Sequence, residues 1–202
     1  MKNHFIALLG AALFAVVVPA QAKVSQQTFD NLNAAFQGES NAAHRYEAFA
    51  KQAEKEGHTY AAHLFRAAAK AESIHRDTHK KAILALGGTV KDFQLDEGKT
   101  GTTAENLQAA IKGESYERDT MYPDFLAQAR KDGAKEAVRT LVYAQKAEAE
   151  HAKLYQAALD NLGRQTDTPL YVCKICGYTT TSLPAKNCPS CRESAGNYER
   201  IN

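Results

Sequence analysis

The chain has 202 residues, 44% hydrophobic and 24% charged, an ordinary globular balance with room for one full core and a small satellite. A net charge of +2 with Lys and Arg spread along the chain excludes the concentrated basic stripe that a phosphate backbone requires, so nucleic acid is not expected as a partner. At the N-terminus, Lys2 and His4 precede an apolar run from Phe5 to Val18, and Pro19-Ala20-Gln21-Ala22 has the small-x-small pattern of a cleavage site. Residues 1–22 therefore read as a secretory signal peptide cleaved near Ala22. The apolar run is shorter than the roughly 20 residues of a spanning helix. The expected product is exported, periplasmic, and without stable membrane insertion.

From Ser25 to Gly163 apolar residues recur at three- and four-residue spacing in a sequence rich in Ala, Leu, Glu, Lys and Gln, the pattern of amphipathic helices. Breaks at Gly57, from Gly87-Gly88 through Gly101, and at Gly133 divide this stretch into four helices. They are joined by two tight turns and one longer crossover. The stretch also repeats itself: Leu32 to Ser40 matches Leu107 to Ser115, and Gln52 to Gly57 matches Gln128 to Gly133. Two helical hairpins are thus expected side by side, a four-helix bundle over residues 23–164.

Each hairpin carries a Glu on its first helix, Glu39 or Glu114, and a Glu-x-x-His on its second, Glu72 with His75 or Glu148 with His151. At about 1.5 Å per residue all four glutamates lie roughly 25 Å from their turns and share one layer. Glu and His three residues apart point to the same helix face. Burying such carboxylates without counter-charge is prohibitive, so a cation is expected among them. Glu117, three residues after Glu114, faces the same way, whereas the first hairpin has Ala42 there; the site is therefore asymmetric. Five carboxylates with only two imidazoles favour iron or manganese over structural zinc, and two irons supply a balancing charge of about +4. Glu47, Glu54, Glu56, Glu136 and Glu150, with His44, His58, His63 and His79, read as solvated face. Gly38 and Gly113 imply close helix approach or a local bulge, and Pro123 a kink in the third helix.

After Gly163 the sequence changes to Thr- and Pro-punctuated segments, and all four cysteines lie in two Cys-x-x-Cys pairs, Cys173 with Cys176 and Cys188 with Cys191. This spacing predicts a tetrahedral thiolate site in a small domain over residues 165–202, holding iron or zinc, with disulfide pairing as a further alternative.

Cys173-Lys174-Ile175-Cys176-Gly177-Tyr178 and Cys188-Pro189-Ser190-Cys191 resemble the knuckles of rubredoxin, and such a tail behind this hairpin repeat resembles rubrerythrin from Ser25 to Asn202. The resemblance implies a mainly α fold, a ferritin-like bundle with a rubredoxin-like tail, two bundle irons and one iron held by the four cysteines. It implies Glu39, Glu72, Glu114, Glu117, Glu148 and His151 as the di-iron set, with His75 exchanging with Glu117 as the iron changes oxidation state. Tyr46 and Tyr122 match tyrosines beside those ligands and, with Glu117, are the candidate catalytic proton donors. The implied activity is reduction of hydrogen peroxide to water, with electrons from an unidentified donor relayed through the four-cysteine iron between the subunits of a homodimer or larger assembly. Rival readings are a ferroxidase or dioxygen-reducing di-iron protein, and a non-enzymatic electron carrier with a zinc-ribbon tail.

Overall fold

A computed structural model describes residues 24–96, 98–164 and 168–201. The expected signal peptide and its cleavage point at Ala22 lie outside the described residues. Among those residues, no helix is long and apolar enough to cross a membrane.

Helices α1 (Gln26–Lys55) and α2 (Thr59–Ala85) form the first hairpin; α3 (Thr103–Tyr116), a π-helical segment (Glu117–Met121) and α4 (Tyr122–Lys131) form one interrupted rod, and α5 (Lys135–Asp160) returns from it. The four rods are those expected from the glycine breaks. The hairpins run in opposite senses. The Ser25 amide and hydroxyl and the Thr28 hydroxyl all donate to Asp132, so the start of α1 is tied to the Gly133 turn. Glu56, at the Gly57 turn, accepts from the Thr103 amide and hydroxyl at 2.8 and 2.5 Å, which ties that turn to the start of α3. The two turns thus lie at opposite ends of the bundle. The glutamates still share a layer because each sits near the middle of its rod.

Local sequence explains the ends. Ser25 caps α1 by accepting from the Thr28 amide, and Thr102 with Glu105 forms a complete capping box at α3. The crossover is strapped to α1: Asn33 donates to the Thr89 carbonyl and accepts from the Lys91 amide, and Asn41 accepts from the Asp96 amide. Apolar cores lie on either side of the glutamate layer, one including Phe49, Leu64, Phe65 and Leu107, the other Leu32, Ile83, Leu126 and Leu141.

The interruption in the third rod is wider than a proline kink. The Tyr122 amide donates to the Glu117 carbonyl, an i to i+5 bond, and Pro123 follows at the start of α4. One extra residue is absorbed there, which keeps Tyr122, Leu126 and Ala129 facing the core. The bulge expected beside Gly113 is therefore real but lies just beyond it. Close helix approach at the glycines is not observed: a Cβ on Gly113 would have no neighbour within 4 Å, and one on Gly38 would meet only Glu117 Oε1, at 3.9 Å.

The tail forms an antiparallel sheet of order β2-β1-β3 from Leu170–Cys173 (β1), Thr179–Thr180 (β2) and Tyr198–Ile201 (β3). Leu170 and Val172 are buried in the same core as Phe65, so the sheet packs on its own chain's bundle.

Candidate metal centres

The glutamate layer brings together six of the expected ligands, all buried: Glu39 from α1, Glu72 and His75 from α2, Glu114 from α3, and Glu148 and His151 from α5. They form two groups, Glu39, Glu72, His75 and Glu148, and Glu72, Glu114, Glu148 and His151; in each, one candidate ligand atom per residue lies within 4.8 Å of the others. His75 Nδ1 is 2.8 Å from Glu72 Oε2 and 3.3 Å from Glu148 Oε1, while His151 Nδ1 is 3.2 Å from Glu72 Oε1 and 3.1 Å from Glu148 Oε2. Glu72 and Glu148 therefore divide their oxygens between the two imidazoles. Glu39 completes one side and Glu114 the other, the arrangement of two cations bridged by carboxylates.

The electrostatics fit that reading. Burial drives Glu114 up to about 8, and burial with the charges of Glu148 and Glu72 pushes Glu39 well above the usual carboxylate range. Burial also opposes the charge on Glu72, yet His151 and His75 hold it at about 2. Burial would likewise lower His75, but Glu148 and Glu72 raise it to about 10. The two imidazoles alone cannot compensate this many carboxylates. Glu39 Oε2, Glu72 Oε1, Glu114 Oε2, both Glu148 carboxylate oxygens and His151 Nδ1 are buried without a hydrogen-bond partner among the described residues. Hard oxygen and imidazole atoms converging in this way fit a pair of iron ions.

Glu117 stands apart from both groups. It opens the π-helical segment, is half-buried, and directs Oε1 towards Gly38 of α1. Burial of its carboxyl group and the charge of Glu114 push it well above the usual carboxylate range.

The two tyrosines link the hairpins. Tyr46 of the first donates its hydroxyl to Glu114 of the second, and Tyr122 of the second donates to Glu39 of the first. His79, expected on the solvated face, is instead fully buried. It follows His75 by four residues and so shares its inward face. Its Nε2 lies 3.2 Å from the Tyr122 hydroxyl and its Nδ1 3.0 Å from Thr140 Oγ1. Burial and the charge of His75 depress it to about 3, so it is neutral. Tyr155, four residues after His151, was not singled out in the sequence; it is buried beside Tyr46 with ring centroids 5.6 Å apart.

In the tail, Cys173 Sγ and Cys191 Sγ are 3.8 Å apart, and Cys176 Sγ and Cys188 Sγ 3.6 Å. These separations are too long for disulfides and match the edges of a tetrahedron with metal–sulfur bonds of about 2.3 Å. The Tyr198 hydroxyl donates to Cys188 Sγ at 3.2 Å. The resemblance implies docking between subunits, yet here the cysteine loop meets its own bundle. His75 Nε2 donates to the Cys176 carbonyl at 3.0 Å. His151 Nε2 donates to Thr179 Oγ1 at 2.8 Å, and that hydroxyl donates onward to the Gly177 carbonyl. Both imidazoles thus present Nδ1 to the glutamates and Nε2–H to the cysteine domain, outer bonds that orient each ring.

Comparison with known proteins gives a consistent picture. Residues 30–159 match the Rubrerythrin family model. Rubrerythrin-2 of Clostridium acetobutylicum is 38% identical over 170 residues, covering 81% of this chain and 91% of that protein. Nigerythrin of Nitratidesulfovibrio vulgaris is 34% identical over 164 residues, covering 81% of each. A solved structure of fully reduced, all-ferrous nigerythrin superposes with a TM-score of 0.77 at 32% identity and covers 94% of both chains.

Proposed function

The chain belongs to the rubrerythrin family, and from that premise we propose that it is a hydrogen peroxide reductase in which the four-cysteine iron resupplies electrons to a carboxylate-bridged di-iron site. The observation that carries this reading is the contact of both ligand histidines with the cysteine loop. Iron storage has no need of such a connection, and a structural zinc tail would have no reason to rest on the two imidazoles. The overall reaction takes one peroxide, two electrons and two protons to two waters.

Glu39, Glu72, His75, Glu114, Glu148 and His151 would hold two irons and the four cysteines a third; the pair would supply two electrons for cleavage of the O–O bond, and the cysteine iron would supply their replacements singly. The protein's own groups do the rest. Glu72 and Glu148 hold the two positions at a fixed spacing. Tyr46 and Tyr122, each bound to one outer glutamate, orient Glu114 and Glu39 and carry protons at the edge of the site. Glu117, half-buried on the π-helical segment, is a further carboxyl group placed to pass a proton. The apolar cores above and below exclude bulk water.

Export after cleavage near Ala22, an external electron donor and a homodimeric or larger assembly complete the proposal. The test is to reduce the iron-loaded mature protein anaerobically, mix it separately with peroxide and dioxygen, and follow the return of the red ferric-thiolate absorption. Return that is faster with peroxide, and lost in Glu148→Ala, is the expected result. Recovery with dioxygen alone, or a tail that never colours, would refute it.

A further inference from the structure

The two hairpins match apart from the one residue inserted ahead of Tyr122, yet their tyrosines have different neighbours. Tyr46 and Tyr122 occupy equivalent places, and so do Tyr155 and His79, which each follow a ligand histidine by four residues. The hydroxyl of Tyr155 is buried and meets only the Tyr46 phenol, in poor hydrogen-bond geometry, among the polar side chains of the described residues that the structure sets against it. His79 in contrast is bonded on both ring nitrogens. The direction of its bonds follows from their far end. The Thr78 hydroxyl donates to the His75 carbonyl at 2.9 Å, and a carbonyl can only accept. Thr140 must then donate its proton to Thr78 Oγ1, 2.7 Å away. That leaves Thr140 Oγ1 to accept from Nδ1–H of His79, 3.0 Å away. With Nδ1–H committed to Thr140, Nε2 is the ring nitrogen left to accept, and it faces the Tyr122 hydroxyl at 3.2 Å. Tyr122 therefore has one proton and two acceptors, Glu39 and His79.

We propose that His79 is a positioning residue: its Nε2 is a second acceptor for the Tyr122 hydroxyl, which frees Glu39 to turn both carboxylate oxygens to a metal ion without leaving a buried hydroxyl unsatisfied. Glu39 Oε1, the oxygen that Tyr122 binds, is 3.7 Å from His75 Nδ1, so it lies within reach of the position that His75 serves. In the other half Tyr46 has no imidazole beside it, and Glu114 stays bound to its tyrosine. The two bundle positions then differ in ligand freedom, with the adaptable carboxylate on the His75 side. This inference rests on the di-iron reading but not on peroxide as substrate.

The test measures iron binding by the full-length chain, by anaerobic titration with ferrous iron against a chromogenic chelator. His79→Leu removes the acceptor at similar volume and should weaken one of the two bundle positions by about tenfold, leaving the other and the four-cysteine site unchanged. His79→Gln, which restores an acceptor, should recover most of that loss. In a Tyr122→Phe background His79→Leu should have no further effect, because His79 acts through that hydroxyl. Wild-type affinity in His79→Leu, or a loss that persists undiminished in the Tyr122→Phe background, would overturn the proposal. A measurement without substitution guards against a variant that fails to fold. Nitrogen-15 spectra of the zinc-loaded chain should show His79 as the Nδ1–H tautomer, and an Nε2–H tautomer would also overturn it. No readout involves peroxide, so failure here and failure of the peroxidase reading are separable.

Discussion

Replacing Gly177 with Ala should uncouple the two metal sites while leaving each in place. Gly177 has φ +74°, and a Cβ there would stand 2.3 Å from His75 Nε2, 2.8 Å from His75 Cδ2 and 3.0 Å from the Ala71 carbonyl oxygen. The left-handed conformation costs a non-glycine residue about 1–2 kcal/mol. Relief of the clash requires the loop to lift, which loses the bonds from His75 to Cys176 and from His151 to Thr179, each worth about 0.5–1.5 kcal/mol. The left-handed cost falls on docked and undocked tail alike, so the two lost bonds set the change, about 2 kcal/mol or on the order of 30-fold in the ratio of docked to undocked tail. The assay is stopped-flow: the reduced, iron-loaded protein is mixed with peroxide, and the return of ferric-thiolate colour is timed. The variant should keep its resting colour and its bundle iron yet recolour much more slowly. Thr179→Val removes the His151 bond and the local Thr179–Gly177 bond but introduces no clash with His75; it should fall between the two. Recolouring at the wild-type rate in both variants would refute the idea that this contact carries the electrons.

Other outcomes follow from single features. Glu148 sends one oxygen toward each imidazole, so Glu148→Ala should lose both bundle irons while the four-cysteine iron remains, as metal analysis would count. Hydrogen bonding from Ser25 is the main cause that holds Asp132 at about 2, below its usual 3.8, so its stabilising effect is complete above about pH 4 and is lost as pH falls towards 2. Asp132→Asn should therefore destabilise the protein at neutral pH by denaturant titration, and its difference from wild type should close across that window. Tyr155→Phe removes a buried hydroxyl whose interaction with Tyr46 is too poorly aligned for a full hydrogen bond, so the unfolding free energy should change by less than about 1 kcal/mol in denaturant titration.

The buried cluster of candidate ligands was legible because the sequence states it twice. A lone Glu-x-x-His carries little information, but Glu72 with His75 and Glu148 with His151, each paired with a glutamate at repeat spacing, could hardly be solvated surface. The cysteine pairs were equally plain. His79 was not recognised, although the signal was present: it lies one turn beyond His75 on the same inward face, at the position that Tyr155 fills in the second hairpin. The π-helical segment was also written in the sequence, as a one-residue change of offset between Glu39 with Glu114 and Tyr46 with Tyr122. Docking of the cysteine loop on its own bundle could not be read, because periodicity reports which face of a helix is buried and not what buries it. The opposite sense of the two hairpins was hidden for a similar reason. Distance from a turn fixes height along a rod but not which end the turn occupies.

The single extra residue in the third rod has a consequence for how the layer meets the outside. Two equal hairpins would build a chamber with no front or back, open or closed alike to a small molecule from either side. By widening one turn of one helix, the insertion sets half-buried Glu117 on that flank alone, beside Gly38 of α1. On the other flank the matching place holds Ala42, which is buried and carries no titratable group. The cysteine loop occupies a third side, across the outer nitrogens of the histidines. A duplicated scaffold thus acquires unlike flanks from one residue: an extra carboxyl group on one side, and the cysteine loop set apart from it across the histidines.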